Sequence, residues 1–318
     1  MKISLLEPLG VPEEVIRNLS KELTDQGCEF TYYNTRSTDP AELKRRSHGQ
    51  DVVMIANTPY PDEVILSADA LKLIAVAFTG IDHVGLNACR EKGIEVRNCA
   101  GYSNETVAEL VIGLTLELMR KISLSDRTVR TGGTSAALVG CEIAGKKIGI
   151  IGCGKIGART AELFKAFGAD VCAYDPFPNP TLAEKAIHFE PLDQLLSQSD
   201  IVSIHLPLTP STRGFMDAEK ISRLKKTALL INCARGPIVD NVALTNALNN
   251  GQIAGAGIDV FDMEPPIPDH YCLLQAENTI LTPHIAYLSR ESMIRRAEIE
   301  FSNVNAFIHG RVQNVCQF

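Results

Sequence analysis

No stretch of this sequence approaches the roughly 18 to 20 uninterrupted apolar residues that a membrane span requires. Its opening, MKISLLEPLGVPEEV, has only a short apolar run before Glu7 and Pro8. Lacking a long apolar core followed by a small-residue cleavage site, that opening is not expected to direct secretion. Basic excess is missing too. A formal charge of −7 gives no support to nucleic-acid binding, because neutralising phosphates needs a basic face. The nine cysteines are odd in number, scattered and never arranged as CxxC. That pattern argues against a disulfide framework or a zinc site, no metal is expected, and free thiols in a reducing cytoplasm fit better.

What is present describes a globular enzyme-sized chain. Its 318 residues exceed what one core usually supports, so two domains are expected. Hydrophobic residues at 45% and charged residues at 22% are ordinary for such a protein. Short β-rich runs alternate with helical patterns: KISLL at 2–6, then PEEVIRNLSKEL, then strand-like runs at 51–55, 72–76 and 94–97. Nearly continuous apolar strands separated by helices predict an α/β fold with parallel sheets covered on both faces.

The alternation breaks at 103–122, SNETVAELVIGLTLELMRKI, which reads as one long helix with Ser103 or Asn104 as N-cap. Val107, Leu110, Val111, Leu114 and Leu118 give it a single apolar face. The stretch RTGGTSAALVG reads as an excursion after it, and a domain crossing is placed near residue 100. Alternation resumes with strand KIGII, helix KIGARTAELFKAF stopped by Gly168, and strand DVCAY. Strands follow at 201–206, 228–232, 256–260 and 279–282, with a helix from the Asp240 N-cap to the Gly251 stop. The final helix, about 289–309, carries Met293, Ala297, Phe301, Val304 and Ile308 on one face and is expected to fold back onto the first domain.

Gly152-Cys153-Gly154-Lys155-Ile156-Gly157 supplies GxGxxG. Alone this is weak, since glycines often mark turns. Here it follows an apolar strand, opens an amphipathic helix and precedes a second strand ending at Asp175. Gly152 permits the tight turn, Gly154 lets backbone approach a pyrophosphate, and Gly157 lets helix and sheet close up. The helix N-terminus offers free N–H groups to the anion. Asp175, 18 residues past Gly157, stands where a carboxylate accepts hydrogen bonds from the adenine-ribose hydroxyls and repels a 2′-phosphate. Pro176-Phe177-Pro178-Asn179 after it provides no arginine, so NAD is favoured over NADP. A solvated strand-end carboxylate is the plainer alternative for Asp175.

Three polar residues sit just past apolar strands of the second domain: Arg235 after ALLINCA, Glu264 after GIDVFDM and His284 after TILTP. Strand carboxyl ends border the ligand crevice of an open α/β sheet. Each residue alone is explained equally well as a solvated or structural side chain; their shared placement argues for convergence. Hydride transfer to a carbonyl leaves an alkoxide that needs a proton, and histidine, with an ordinary pKa of about 6.5, suits the task. Glu264 would favour and orient the imidazolium, and the planar fork of Arg235 would pair with a substrate carboxylate. Backbone N–H groups in the turn Ala77-Phe78-Thr79-Gly80-Ile81-Asp82 would hold the rest of the acid.

The stretches FTGIDHVGL, NETVAELVIGL, GKKIGIIGCGKIG, YDPF, IVSIHLPLTPSTRG, LINCARGPIVD, AGAGIDVFDMEPP and LTPHIA, in this order, resemble the D-isomer-specific 2-hydroxyacid dehydrogenase family over nearly the whole chain. The resemblance implies two Rossmann-like, doubly wound parallel-sheet domains with the cleft between them. Residues 1–100 plus 288–318 would form a flavodoxin-like substrate domain, and 101–287 the NAD-binding domain. It implies Arg235 as substrate-orienting residue, Glu264 as partner of His284, and His284 as acid/base. Thr79 and Gly80 would contact the substrate carboxylate. Besides the glycines, Lys155, Ile156, Asp175, Cys233, Ala234 and Asp259 would contact NAD, with Thr106 and His205, Leu206 and Pro207 lining the same site. Asp259 would hold the nicotinamide carboxamide, or else be a buried carboxylate capping a turn. The partners implied are a small 2-oxo or 2-hydroxy acid and a second copy of the chain in a homodimer.

Two departures from the family pattern stand out. Members often carry a tryptophan before the fingerprint, and this chain has none, so the excursion at 130–141 is expected to pack differently. Phosphoglycerate-type members tend to carry an arginine where this chain has Ala56 and Asn57, which argues against a phosphorylated substrate. Tyr60, Phe78 and Tyr287 are candidates for an apolar side-chain pocket, with core packing the alternative for each. An NAD-sensing, corepressor-like binding protein is the rival from another class. An amino-acid dehydrogenase or homocysteine-type hydrolase on a similar frame is the third reading.

Overall fold

A computed structural model describes residues 1–178 and 187–318. Asn179, the last residue of the arginine-free stretch after Asp175, lies outside the described residues. The chain divides into two compact units, residues 1–103 with 288–318 and residues 104–287.

In the first unit, strands β1 (Lys2–Leu5), β2 (Glu29–Tyr32), β3 (Val52–Ile55), β4 (Leu73–Val76) and β5 (Glu95–Asn98) alternate with helices α1 (Glu13–Asp25), α2 (Pro40–Ser47), α3 (Asp62–Ser67) and α4 (Leu86–Lys92). All strand pairs are parallel, in the order β2-β1-β3-β4-β5. Every residue of β3 and β4 is buried, as strands covered on both faces must be. Period-2 alternation sends Val53 and Ile55 into one apolar layer with Leu43, Val64 and Ile74. Val52 and Met54 enter the opposite layer with Ile3, Leu5 and, from the C-terminal helix, Ala297, Phe301 and Val304. Tyr60 belongs to the first layer, fully buried with its hydroxyl 2.7 Å from Ser47 Oγ, so it lines no open pocket.

The second unit opens with α5 (Asn104–Arg120). It is the helix expected over 103–122, ending two residues short, and a second, unexpected helix follows it. Lys121 takes φ +52°, which an α-helix cannot propagate, and α6 (Ile122–Arg130) starts afresh. No residue of α6 is buried. Beyond it, residues 131–141 contain no helix or strand. The sheet follows: β6 (Lys147–Ile151), α7 (Lys155–Ala166), β7 (Asp170–Tyr174), β8 (His188–Phe189), α8 (Leu192–Gln198), β9 (Ile201–Ile204), α9 (Ala218–Ser222), β10 (Leu229–Asn232), α10 (Asn241–Asn249), β11 (Gly255–Ile258) and β12 (Thr279–Leu281). Its strands run parallel in the order β12-β11-β10-β9-β6-β7-β8. Strand order reverses at β6, the switch point where an open parallel sheet leaves a crevice at its strand carboxyl ends. The last helix, α11 (Arg290–Ile308), returns to the first unit. It is started by a reciprocal cap in which Ser289 and Ser292 each accept the other's backbone N–H. Among the described residues no helix is long and apolar enough to cross a membrane, and all nine cysteines are free thiols.

Candidate active site

The glycines of the fingerprint do different work. Gly152 sits at φ +90°, and a Cβ there would meet the His205 carbonyl carbon at 2.8 Å and the Leu206 nitrogen at 2.9 Å. A Cβ on Gly157 would lie 2.1 Å from the Gly152 carbonyl oxygen. Both positions are filled by the protein's own backbone. Gly154 differs: a Cβ on it would meet nothing within 4 Å. It is also the N-cap of α7, with no side-chain cap and no acidic residue in the first turn. An uncapped helix N-terminus behind an open glycine fits a pyrophosphate, since both its N–H groups and its dipole favour an anion.

Asp175, just past β7, holds this turn from below. Its Oδ2 accepts from Cys153 N and its Oδ1 from Phe177 N, both at 2.8 Å. A carboxylate has about four acceptor positions, so two bonds leave capacity for ribose hydroxyls. Thr106, in the first turn of α5, is half-buried; Leu206 is buried and Pro207 exposed. The His205 imidazole, 2.9 Å from Ser203 Oγ, is held down to about 4 by burial and is neutral near pH 7. Cys233 is buried just past β10, its thiol raised well above the usual range by burial and by the nearby Asp259 charge.

Arg235, Glu264 and His284 all follow the adjacent strands β10, β11 and β12. Asn232, wholly buried at the end of β10, donates through Nδ2 to the Arg235 carbonyl and accepts from Ala234 N, both at 3.0 Å. Asp259 N donates to the Asn232 carbonyl at 3.0 Å, and His284 N to the Asp259 carbonyl at 2.9 Å. Backbone hydrogen bonds thus step across the three strand ends. His284 Nδ1 meets both oxygens of Glu264, at 2.8 and 3.0 Å. Its ring and that of Tyr287 meet nearly perpendicular, with ring centres 5.4 Å apart.

His284 occupies the left-handed region at φ +55°, a conformation a non-glycine residue keeps only under external support. Asp259 supplies it. Wholly buried, its carboxylate accepts from Thr282 Oγ1 at 2.5 Å and from the backbone N–H of Ile285 and Ala286 at 2.8 Å each. Burial raises its pKa against the pull of those donors. These bonds make Asp259 a cap of the turn that carries His284. Asn232 and Thr282 escaped the sequence reading, the one signal being a polar Asn inside the apolar run ALLIN.

Thr79 is exposed on the turn after β4, in the first unit. Asn98 Nδ2 donates to the Thr79 carbonyl at 2.8 Å and Cys99 N to the Phe78 carbonyl at 2.9 Å. Ala56 and Asn57 lie on the turn after β3, fixed by Glu7, whose Oε1 accepts from Ala56 N and Thr58 N at 2.8 Å.

A parallel sheet with an anion-ready glycine turn and a histidine–carboxylate pair at its strand ends defines the class of nicotinamide-dependent oxidoreductases. Residues 112–286 match the family described as D-isomer specific 2-hydroxyacid dehydrogenase, NAD binding domain. The chain is 38% identical over 297 residues to a glycerate dehydrogenase of Methylorubrum extorquens, covering 91% of this chain and 92% of that one. It is 36% identical over 302 residues to a hydroxypyruvate reductase of Blautia hydrogenotrophica, covering 93% and 94%. A solved D-lactate dehydrogenase of Aquifex aeolicus, complexed with NAD and lactic acid, superposes with TM-score 0.83 at 30% identity, over 98% of this chain and 96% of that one. The chain therefore belongs to the D-isomer-specific 2-hydroxyacid dehydrogenase family and is an NAD-dependent oxidoreductase acting on CH–OH groups.

Proposed function

We propose that the protein reversibly reduces a small 2-oxo acid to the D-2-hydroxy acid, with NADH as reductant and His284 as acid/base. The observation that carries this reading is the contact of His284 Nδ1 with Glu264 at 2.8 Å. With Nδ1 turned to the carboxylate, Nε2 is the nitrogen left to face a substrate oxygen.

A bound nicotinamide would supply the hydride for C2 of the oxo acid, and in reverse would take it from C2 of the hydroxy acid. His284 Nε2 gives its proton to the C2 oxygen as that oxygen gains negative charge, and Glu264 stabilises the ring that donates it. Arg235 pairs through its guanidinium with the substrate carboxylate and polarises the neighbouring carbonyl. The amides of the Thr79–Gly80 turn hold the same carboxylate. Lys155, Ile156 and the glycines take the pyrophosphate. Asp175 takes the adenine-ribose hydroxyls and disfavours a 2′-phosphate. Thr106, His205, Leu206, Pro207, Cys233 and Ala234 line the remaining cofactor surface. The Methylorubrum and Blautia relatives point to hydroxypyruvate and glycerate as first candidates for the substrate pair.

Two further parts of the proposal concern setting. The free thiols suit a reducing cytoplasm. A second copy of the chain covers α6, which exposes Ile122, Leu124 and Val129 beside a groove lined by Leu118, Arg127, Val139 and Ile280.

The experiment is to mix purified protein with NADH, and separately NADPH, and a panel of pyruvate, glyoxylate, hydroxypyruvate and longer 2-oxo acids. Turnover is expected with NADH and at least one acid. No loss of nicotinamide absorbance with any of them sinks the enzymatic reading, and tight NADH binding without turnover promotes an NAD-sensing one.

A further inference from the structure

A charged cluster lies buried beside the carboxylate turn of the first unit. Arg296, on the inward face of α11, is 3% exposed. Its Nη2 donates to the Leu9 carbonyl at 2.6 Å. The guanidinium carbon sits 4.7 Å from the centre of the Phe78 ring and 6.0 Å from that of Tyr102. Those two rings meet edge to face at 6.1 Å. Cys99 Sγ donates to the Arg296 carbonyl at 3.5 Å, while Cys99 N holds the Phe78 carbonyl from the other side. Arg296 Nε and both carboxyl oxygens of the wholly buried Glu300 have no hydrogen-bond partner among the described residues.

A buried guanidinium with an unused donor is a poor way to fill space, because burying unsatisfied polar groups is unfavourable. An apolar side chain of similar volume would pack there at least as stably. What it could not do is bond the Leu9 carbonyl and at once hold an aromatic face by charge. The ring so held is Phe78, and the next two residues are Thr79 and Gly80. We propose that Arg296 is a positioning residue: it fixes Phe78, and through it sets the Thr79–Gly80 amides for the substrate carboxylate before substrate arrives. Preorganisation of this kind acts on substrate affinity, since a turn already in place loses no freedom on binding. The inference rests on reading that turn as a carboxylate site, and the test separates the two.

Initial rates are measured with pyruvate and with its methyl ester, which keeps the carbonyl and lacks the charge. Wild type is expected to prefer the acid. Arg296→Lys retains the charge but loses the planar fork. It should raise KM for pyruvate about tenfold, leave kcat within about threefold, leave KM for the ester unchanged and leave NADH affinity unaltered. Phe78→Leu should do the same, and the double variant no more than either alone, because both act through one ring. A wild type indifferent to acid or ester removes the carboxylate reading itself. A wild type that prefers the acid, with Arg296→Lys keeping that preference or losing only thermal stability, overturns the positioning role and leaves the carboxylate reading standing. Should Arg296→Lys fail to fold, Phe78→Leu decides: an unchanged KM for pyruvate overturns the proposal.

Discussion

His284 is held in place on two sides that do separate jobs. Glu264 engages its ring at Nδ1, while Asp259 fixes its backbone from below through Thr282, Ile285 and Ala286. Removing the ring should therefore remove chemistry and spare cofactor binding. His284→Ala is expected to lower kcat about 10²-fold or more with NADH affinity nearly intact, and unchanged turnover would take His284 out of its role. Asp259→Asn keeps one acceptor oxygen but turns an NH2 group against the N–H of either Ile285 or Ala286, at a cost of about 1.5–3 kcal/mol per lost charged hydrogen bond. It should lower both melting temperature and kcat, with NADH affinity close to wild type. If titration shows NADH affinity falling more than kcat, Asp259 holds the cofactor instead. That Arg235, Glu264 and His284 follow neighbouring strands was readable from apolar runs each ending in one polar group. The left-handed turn at His284 was not, because nothing in the local sequence asks a histidine for φ +55°; the demand comes from a carboxylate on the neighbouring strand.

At the scale of elements, the fingerprint contains two kinds of glycine. A Cβ on Gly157 would lie 2.1 Å from a backbone oxygen, whereas one on Gly154 would meet open space. Gly157→Ala is expected to lower the melting temperature strongly through overpacking, by about 1–3 kcal/mol or more, and to weaken NADH binding only as a consequence. Gly154→Ala should keep the melting temperature within a degree or two and still weaken NADH binding severalfold, measured by fluorescence titration. Loss of stability in Gly154→Ala would deny that the space is reserved for a ligand. Most regular elements of the sheets were legible because apolar runs of four or five residues alternate with helical spacing. The Asp240 cap is an example, its Oδ1 accepting from Val242 N and Ala243 N. The end of α5 near Lys121 was legible, but α6 was not, since ISLSDRTVR follows directly with no capping residue to announce a new start. The short, half-exposed β2 was passed over because EFTY shows no buried run.

For the molecule as a whole, a buried carboxyl adds a response of stability to pH. Burial pushes Glu300 well above the ordinary carboxylate range, with Arg296 opposing and Glu7 adding to the rise. A carboxyl raised on folding contributes stability that is complete below its unfolded value, about 4.3, and drains away as pH climbs toward its folded value. Glu300→Gln cannot ionise. Its melting temperature should match wild type near pH 4.5 and exceed it increasingly toward pH 8; a difference constant with pH would mean the wild-type carboxyl titrates normally. Assembly is the other whole-molecule property. Val129→Asp, on a helix with no buried residue, should convert a dimer to a monomer in sedimentation without lowering the melting temperature of the monomer. A wild-type chain that sediments as a monomer at micromolar concentration removes the need for any partner at α6.

The return of α11 has a consequence for how the chain matures. Ile3, Leu5, Val52 and Met54 wait for Ala297, Phe301 and Val304, residues translated only after the whole of 104–287. At ordinary ribosome speeds that wait is roughly ten to forty seconds. The continuous unit can complete its sheet during that time, while the earlier-born one stands with an oily flank bare.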